Sequence, residues 1–69
     1  MTISERINVY LFEHSLKQKE FAEKIGYSVY TVRKWQRGRL PNIFAAIDLA
    51  RLFKITIDEL IKDEKGVDL

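Results

Sequence analysis

Four basic residues, Arg33, Lys34, Arg37 and Arg39, crowd around Trp35 in the stretch "EFAEKIGYSVYTVRKWQRGRLPN". Their chemistry is donation. Each carries a positive charge and several N–H donors, and none accepts a hydrogen bond. Lys17, Lys19 and Lys24 stand just upstream, and Gln18, Ser28, Thr31 and Asn42 add neutral polar groups. Residues 17–39 hold seven basic residues against Glu20 and Glu23, a net charge of +5. The flanks are mildly acidic, −1 over residues 1–16 and −2 over residues 40–69. The whole chain reaches only +2, so the asymmetry carries more meaning than the total. A basic segment between acidic flanks suits an anionic partner met by one face.

Other chemistry is poorly provided for. There is no cysteine and only one histidine, so a disulfide framework, a thiolate metal site and a structural zinc are not expected. His14 is expected near a helix end on the surface. No nucleophile–base–orienter set, phosphate-cradling glycine loop or carboxylate pair in a cleft can be assembled. Asp58, Glu59, Asp63 and Glu64 form an acidic cluster, but Asp58 and Glu59 are explained as favourable charge at a helix N-terminus. The expectation is a non-enzyme without metal or cofactor.

A chain of 69 residues is expected to form one domain with a small core and marginal stability. No apolar run approaches the length needed to cross a bilayer. The start, "MTISERINVY", is polar and amphipathic and lacks the pattern of a secretory signal. The expected setting is the cytoplasm.

The elements that must hold these residues read as helices. Ile3, Ile7, Tyr10 and Leu11 recur at helical spacing, and Thr2 with Glu5 forms a capping box. The first helix is expected from Ile3 to near Ser15. A second covers about Gln18 to Ile25, with Phe21, Ala22 and Ile25 inward and Gly26 stopping it. A third begins at Val29 behind the N-cap Ser28, with Val32 and Trp35 inward, and Gly38 ends it. Pro41 breaks the chain and Asn42 caps a fourth helix, about Ile43 to Phe53. Its inward set is Ile43, Ala46, Leu49, Ala50 and Phe53. Thr56 with Glu59 caps a short fifth helix, about Ile57 to Ile61. The expected fold is all-α, a compact five-helix bundle over residues 1–62, with a short frayed tail over 63–69. Only Gly26, Tyr27 and Ser28 separate the second helix from the third. A glycine turn that short makes a helix-turn-helix rather than an antiparallel hairpin.

The ordered set Gln18, Phe21, Ala22, Ile25, Gly26, Ser28, Val32, Trp35, Arg37, Gly38 and Pro41 resembles the Xre/Cro family of helix-turn-helix DNA-binding proteins. Leu49, Ala50, Phe53, Ile57, Asp58, Glu59 and Leu60 extend the likeness over about residues 3–62. Three positions depart from the family's habit. Lys17 replaces a frequent Ser or Thr, Gln36 a frequent Glu, and Phe44 a usual polar residue.

The resemblance implies a fold of the lambda-repressor-like type and a recognition helix at about residues 29–37, entering the major groove of double-stranded DNA. Ser28, Val29, Tyr30, Arg33 and Lys34 are then candidates to meet bases. Val29 suits a thymine methyl, and Arg33 or Lys34 suits guanine O6 and N7. Gln18 is expected on a phosphate, at a helix start whose free N–H groups also face an anion. Lys17, Lys19, Thr31, Arg37, Arg39 and Asn42 complete the backbone-contact candidates. Phe44, Leu52, Ile57 and Ile61 are candidates for pairing two copies. The expected function is a transcriptional regulator, a repressor of the kind found in phages and mobile elements, homodimeric on DNA. The rival is an antitoxin or another protein-interaction module, with Phe44, Leu52, Ile57, Val67 and Leu69 offered to a protein partner. RNA binding is a weaker rival, because no sheet presents stacking aromatics.

Overall fold

The computed structural model describes residues 1–64. Five helices follow one another: α1 (Ile3–Glu13), α2 (Gln18–Ile25), α3 (Val29–Gln36), α4 (Ile43–Phe53) and α5 (Ile57–Ile61). No strand occurs among the described residues.

Local chemistry starts each helix. Thr2 and Glu5 close a reciprocal box on α1: the Thr2 N–H donates to Glu5 Oε1 at 2.8 Å and the Glu5 N–H to Thr2 Oγ1 at 3.2 Å. Asn42 Oδ1 accepts the Ala45 N–H at 2.9 Å on α4, and Thr56 Oγ1 accepts the Glu59 N–H at 3.1 Å on α5. Lys17 has no acceptor in its side chain, so α2 keeps half a box. Glu20 Oε1 accepts the Lys17 N–H at 2.8 Å. Gly26 stops α2 at φ 87, a left-handed conformation that only glycine adopts freely.

One apolar cluster holds the helices together. Ile3 and Ile7 of α1, Phe21 and Ala22 of α2, Val32 and Trp35 of α3, four residues of α4 and Leu60 of α5 are buried. α3 packs on both α1 and α2, while α4 packs on α2 and α5. The radius of gyration is 11.1 Å, close to the roughly 11 Å of a compact chain this long.

Two expectations are corrected. Ile43 does not face inward; it is 60% exposed, and Ala45 is buried instead. At 3.6 residues per turn, Ile43 lies about a quarter turn away from the stripe formed by Ala45, Ala46, Leu49, Ala50 and Phe53. Phe44 falls opposite that stripe. α1 ends at Glu13 rather than near Ser15, because Ser15 turns left-handed at φ 52 to bring the chain round to α2. α3 ends at Gln36 with Arg37 as its C-cap, and Gly38 follows at φ 102 as the expected stop. In α5 the fully buried residue is Leu60, with Ile57 and Ile61 at the rim of the core.

The segment expected as a tail begins at Asp63. Asp63 pairs with the N-terminal ammonium, and Glu64 Oε1 accepts the Ile3 N–H at 2.5 Å. Val67 and Leu69 lie outside the described residues.

Candidate nucleic-acid interface

The site is built on the outer face of α3. Val32 and Trp35 are buried, which leaves Tyr30, Arg33 and Arg37 exposed and Lys34 half-buried among them. Their spacing of i, i+3, i+4 and i+7 makes one continuous stripe on a helix. The α3 helix contains no acidic residue. The stripe begins with an aromatic ring, 64% exposed, and continues with three cations. Lys34 Nζ lies 4.4 Å from the centre of the Tyr30 ring, where the electron-rich face attracts the ammonium.

The turn in front of α3 is rigidly made. Ser28 Oγ accepts the Thr31 N–H at 3.1 Å, and the two hydroxyls lie 3.0 Å apart. Tyr27 meets Trp35 edge to face at 5.2 Å and donates its hydroxyl to Asp48 Oδ2 on α4 at 2.8 Å. That hydrogen bond, before any burial, holds the Tyr27 hydroxyl above its ordinary pKa. The turn is therefore anchored to both α3 and α4.

α2 brings Gln18 to the same surface. Arg33 Nε donates to Gln18 Oε1 at 3.1 Å, and Gln18 Nε2 donates to Gln36 Oε1 at 2.7 Å. Gln36 Nε2 then donates to Asn8 Oδ1 on α1 at 2.8 Å. The structure thus joins Gln18 and Arg33, two expected site residues, through direct contact. It adds Gln36 and Asn8, which the sequence did not single out for the site. Only the departure at Gln36 gave any sign of them.

The remaining expected residues sit around this centre. Lys17, Lys19, Arg37 and Arg39 are exposed. Val29 and Thr31 are half-buried, with Val29 packed on the core. Asn42 uses its side-chain oxygen to cap α4 and keeps its amide N–H groups. Among the described residues, the ion pairs are Met1 with Asp63, Arg6 with Glu59 and Lys62 with Glu59. Two of them join the N-terminal end to α5 and the residues just after it, and Lys62 with Glu59 is local to the end of α5. None uses a basic residue between 17 and 39, so among the described residues no carboxylate forms an ion pair with those cations.

Of the pairing candidates, Phe44 is 73% exposed, whereas Leu52, Ile57 and Ile61 are half-buried against the core.

A family model described as helix-turn-helix matches residues 10–60, most of the chain and both helices of the motif. The chain belongs to the Cro/C1-type helix-turn-helix family. Its helix-turn-helix is α2 and α3 with the turn Gly26, Tyr27 and Ser28 between them. The domain is similar to the HTH-type transcriptional activator BcrR of Enterococcus faecalis, with 29% identity over 70 residues. The match covers 100% of this chain and 34% of that protein, so the chain spans about a third of its relative's length. No solved structure matches the chain. No described helix is long and apolar enough to cross a membrane.

Proposed function

We propose that the chain is a sequence-specific double-stranded DNA-binding regulator of transcription, with α3 in the major groove. The observation that carries this is the stripe of Tyr30, Arg33, Lys34 and Arg37, which makes no ion pair among the described residues and lies beside the N-terminus of α2. Phosphates would meet Lys17, Lys19, Arg37, Arg39, Thr31 and Asn42, together with the free N–H groups at the start of α2. Base edges would meet Ser28, Val29, Tyr30, Arg33 and Lys34. Family membership supports the same role.

One short helix reads only a few base pairs, so two copies on half-sites about 34 Å apart serve the function best. Phe44, the most exposed of the four pairing candidates, supports a pairing surface on α4. A domain seated across a promoter acts first by excluding other proteins, which makes repression the proposed direction. The named relative is an activator, so a promoter–reporter assay with the operator moved relative to the start site decides between the two. A protein partner is the second reading. It is favoured by Phe12 on α1, which is 86% exposed and has no place in the DNA surface.

The test is selection of bound sites from a random duplex library at about physiological salt. An enriched inverted repeat supports a paired, sequence-specific binder. Weak, salt-sensitive binding without enrichment overturns it and turns attention to the protein partner.

A further inference from the structure

Arg33 has donors only, so the amide facing its Nε must present oxygen. That amide is Gln18, with Oε1 at 3.1 Å. Gln18 then has its Nε2 turned to Gln36, which must present oxygen in its turn, at 2.7 Å. Gln36 is left donating from Nε2 to Asn8 Oδ1 at 2.8 Å. One guanidinium therefore fixes the orientation of three amides in series. A full charge at the head of such a chain polarises each following amide, and the bonds reinforce one another. The far end is fastened to α1 twice, since Ser4 Oγ also donates to the Gln36 main-chain carbonyl at 2.5 Å. Gln18 and Gln36 are half-buried, which shields the bond between them from competing water, while Arg33 and Asn8 are exposed at the two ends.

We infer that Asn8 and Gln36 are positioning residues that set Arg33 as the guanine-reading side chain of this domain. The inference rests on α3 being the helix that meets DNA. With Nε held by Gln18, the guanidinium offers its two Nη groups outward. Two parallel donors on a planar group match guanine O6 and N7. Lys34, the other candidate for guanine, has its ammonium drawn over the Tyr30 ring at 4.4 Å. It is a compact charge without a fork, suited to a phosphate or a less demanding base contact. The specificity of α3 is thereby coupled to α1, an element outside the helix-turn-helix.

The test uses the full chain and three variants. Gln36→Met keeps the length of the side chain and removes both of its hydrogen bonds. Asn8→Leu removes the last link only. Asn8→Asp keeps an acceptor for Gln36 and serves as the conservative control. The first readout needs no DNA: solvent exchange of the Arg33 Nε–H, followed by nuclear magnetic resonance. It should be slow in the parent and in Asn8→Asp, and several-fold faster in Gln36→Met. The second readout is preference for guanine over other bases within the selected site. It should fall by roughly three- to tenfold in Gln36→Met, the scale of one hydrogen bond, less in Asn8→Leu, and not in Asn8→Asp. Melting temperatures exclude simple unfolding. Unchanged Arg33 exchange in Gln36→Met overturns the inference, as does faster exchange with guanine preference intact. Slow exchange in a parent that selects no sequence would leave the amide chain standing and overturn the DNA-reading role.

Discussion

Arg37 is the residue at which affinity and specificity separate most cleanly. It caps the end of α3, stays exposed and makes no ion pair among the described residues. On the proposed reading a cation there would meet phosphate rather than base, because the N-terminal part of a recognition helix is the part that reaches base edges. Arg37→Ala should weaken binding to all duplexes alike and flatten the dependence of log affinity on log salt by about one unit. Titrations at several salt concentrations, on the selected site and on a scrambled duplex, check this. A loss confined to the selected site would reassign Arg37 to base reading. Trp35 illustrates the opposite case. Its aromatic ring could stack on a base, but it is buried beneath Tyr27 and Val32's face of the helix, so its contribution is packing.

At the scale of the element, two short signals hold the helix-turn-helix in shape. Gly26 sits at φ 87 with nothing within 4 Å of where a Cβ would stand. A side chain there meets no clash, so Gly26→Ala should cost only the left-handed backbone strain, roughly 1–2 kcal/mol. Gly26→Asn should cost less, since asparagine tolerates that conformation. Chemical denaturation of the two variants compares them directly, and equal losses would place the cost elsewhere. Ser28 is the second signal. Ser28→Ala leaves the Thr31 N–H without its acceptor and should lower stability by about 1 kcal/mol, read as a lower denaturation midpoint at unchanged slope.

At the scale of the whole molecule, the N-terminal segment meets α5 and the residues just after it. The N-terminal ammonium pairs with Asp63, and Arg6 reaches Glu59 at 3.7 Å. The Thr2 N–H, with its hydroxyl, holds the Glu5 carboxyl below the ordinary range, and the hydrogen bond from the N-terminal ammonium does the same for Asp63. Both folded values lie below the unfolded ones, so the unfolded chain takes up protons first as acid is added. The stability these groups contribute is full above the usual carboxylate pKa of about 4. It is lost as pH falls through their lowered folded values. Melting temperatures measured from pH 7 downward should drop below about pH 4, and Glu5→Gln should show a shallower acid decline than the parent. Parallel declines would remove Glu5 from the account. Both carboxylates are exposed, so added salt should soften the effect.

Helix starts, caps and the outward stripe of α3 were legible from the sequence because each depends on neighbours within one or two turns. A capping oxygen acts three residues away, a left-handed glycine acts on its own turn, and a helical face repeats every 3.6 residues. The sequence by itself therefore determined five helices, the glycine turn and a basic face opposite Val32 and Trp35. It misplaced Ile43 because a helix's first residue has no earlier turn to reveal which way the buried stripe runs. Only the tertiary structure decided that Gln18, Gln36 and Asn8 line up behind Arg33. Those links span 15, 18 and 28 residues of sequence. Amides carry no local pattern that announces a distant partner, so their meeting depends on how α1, α2 and α3 pack. The same packing brings Gln18 Oε1 to Arg33 Nε.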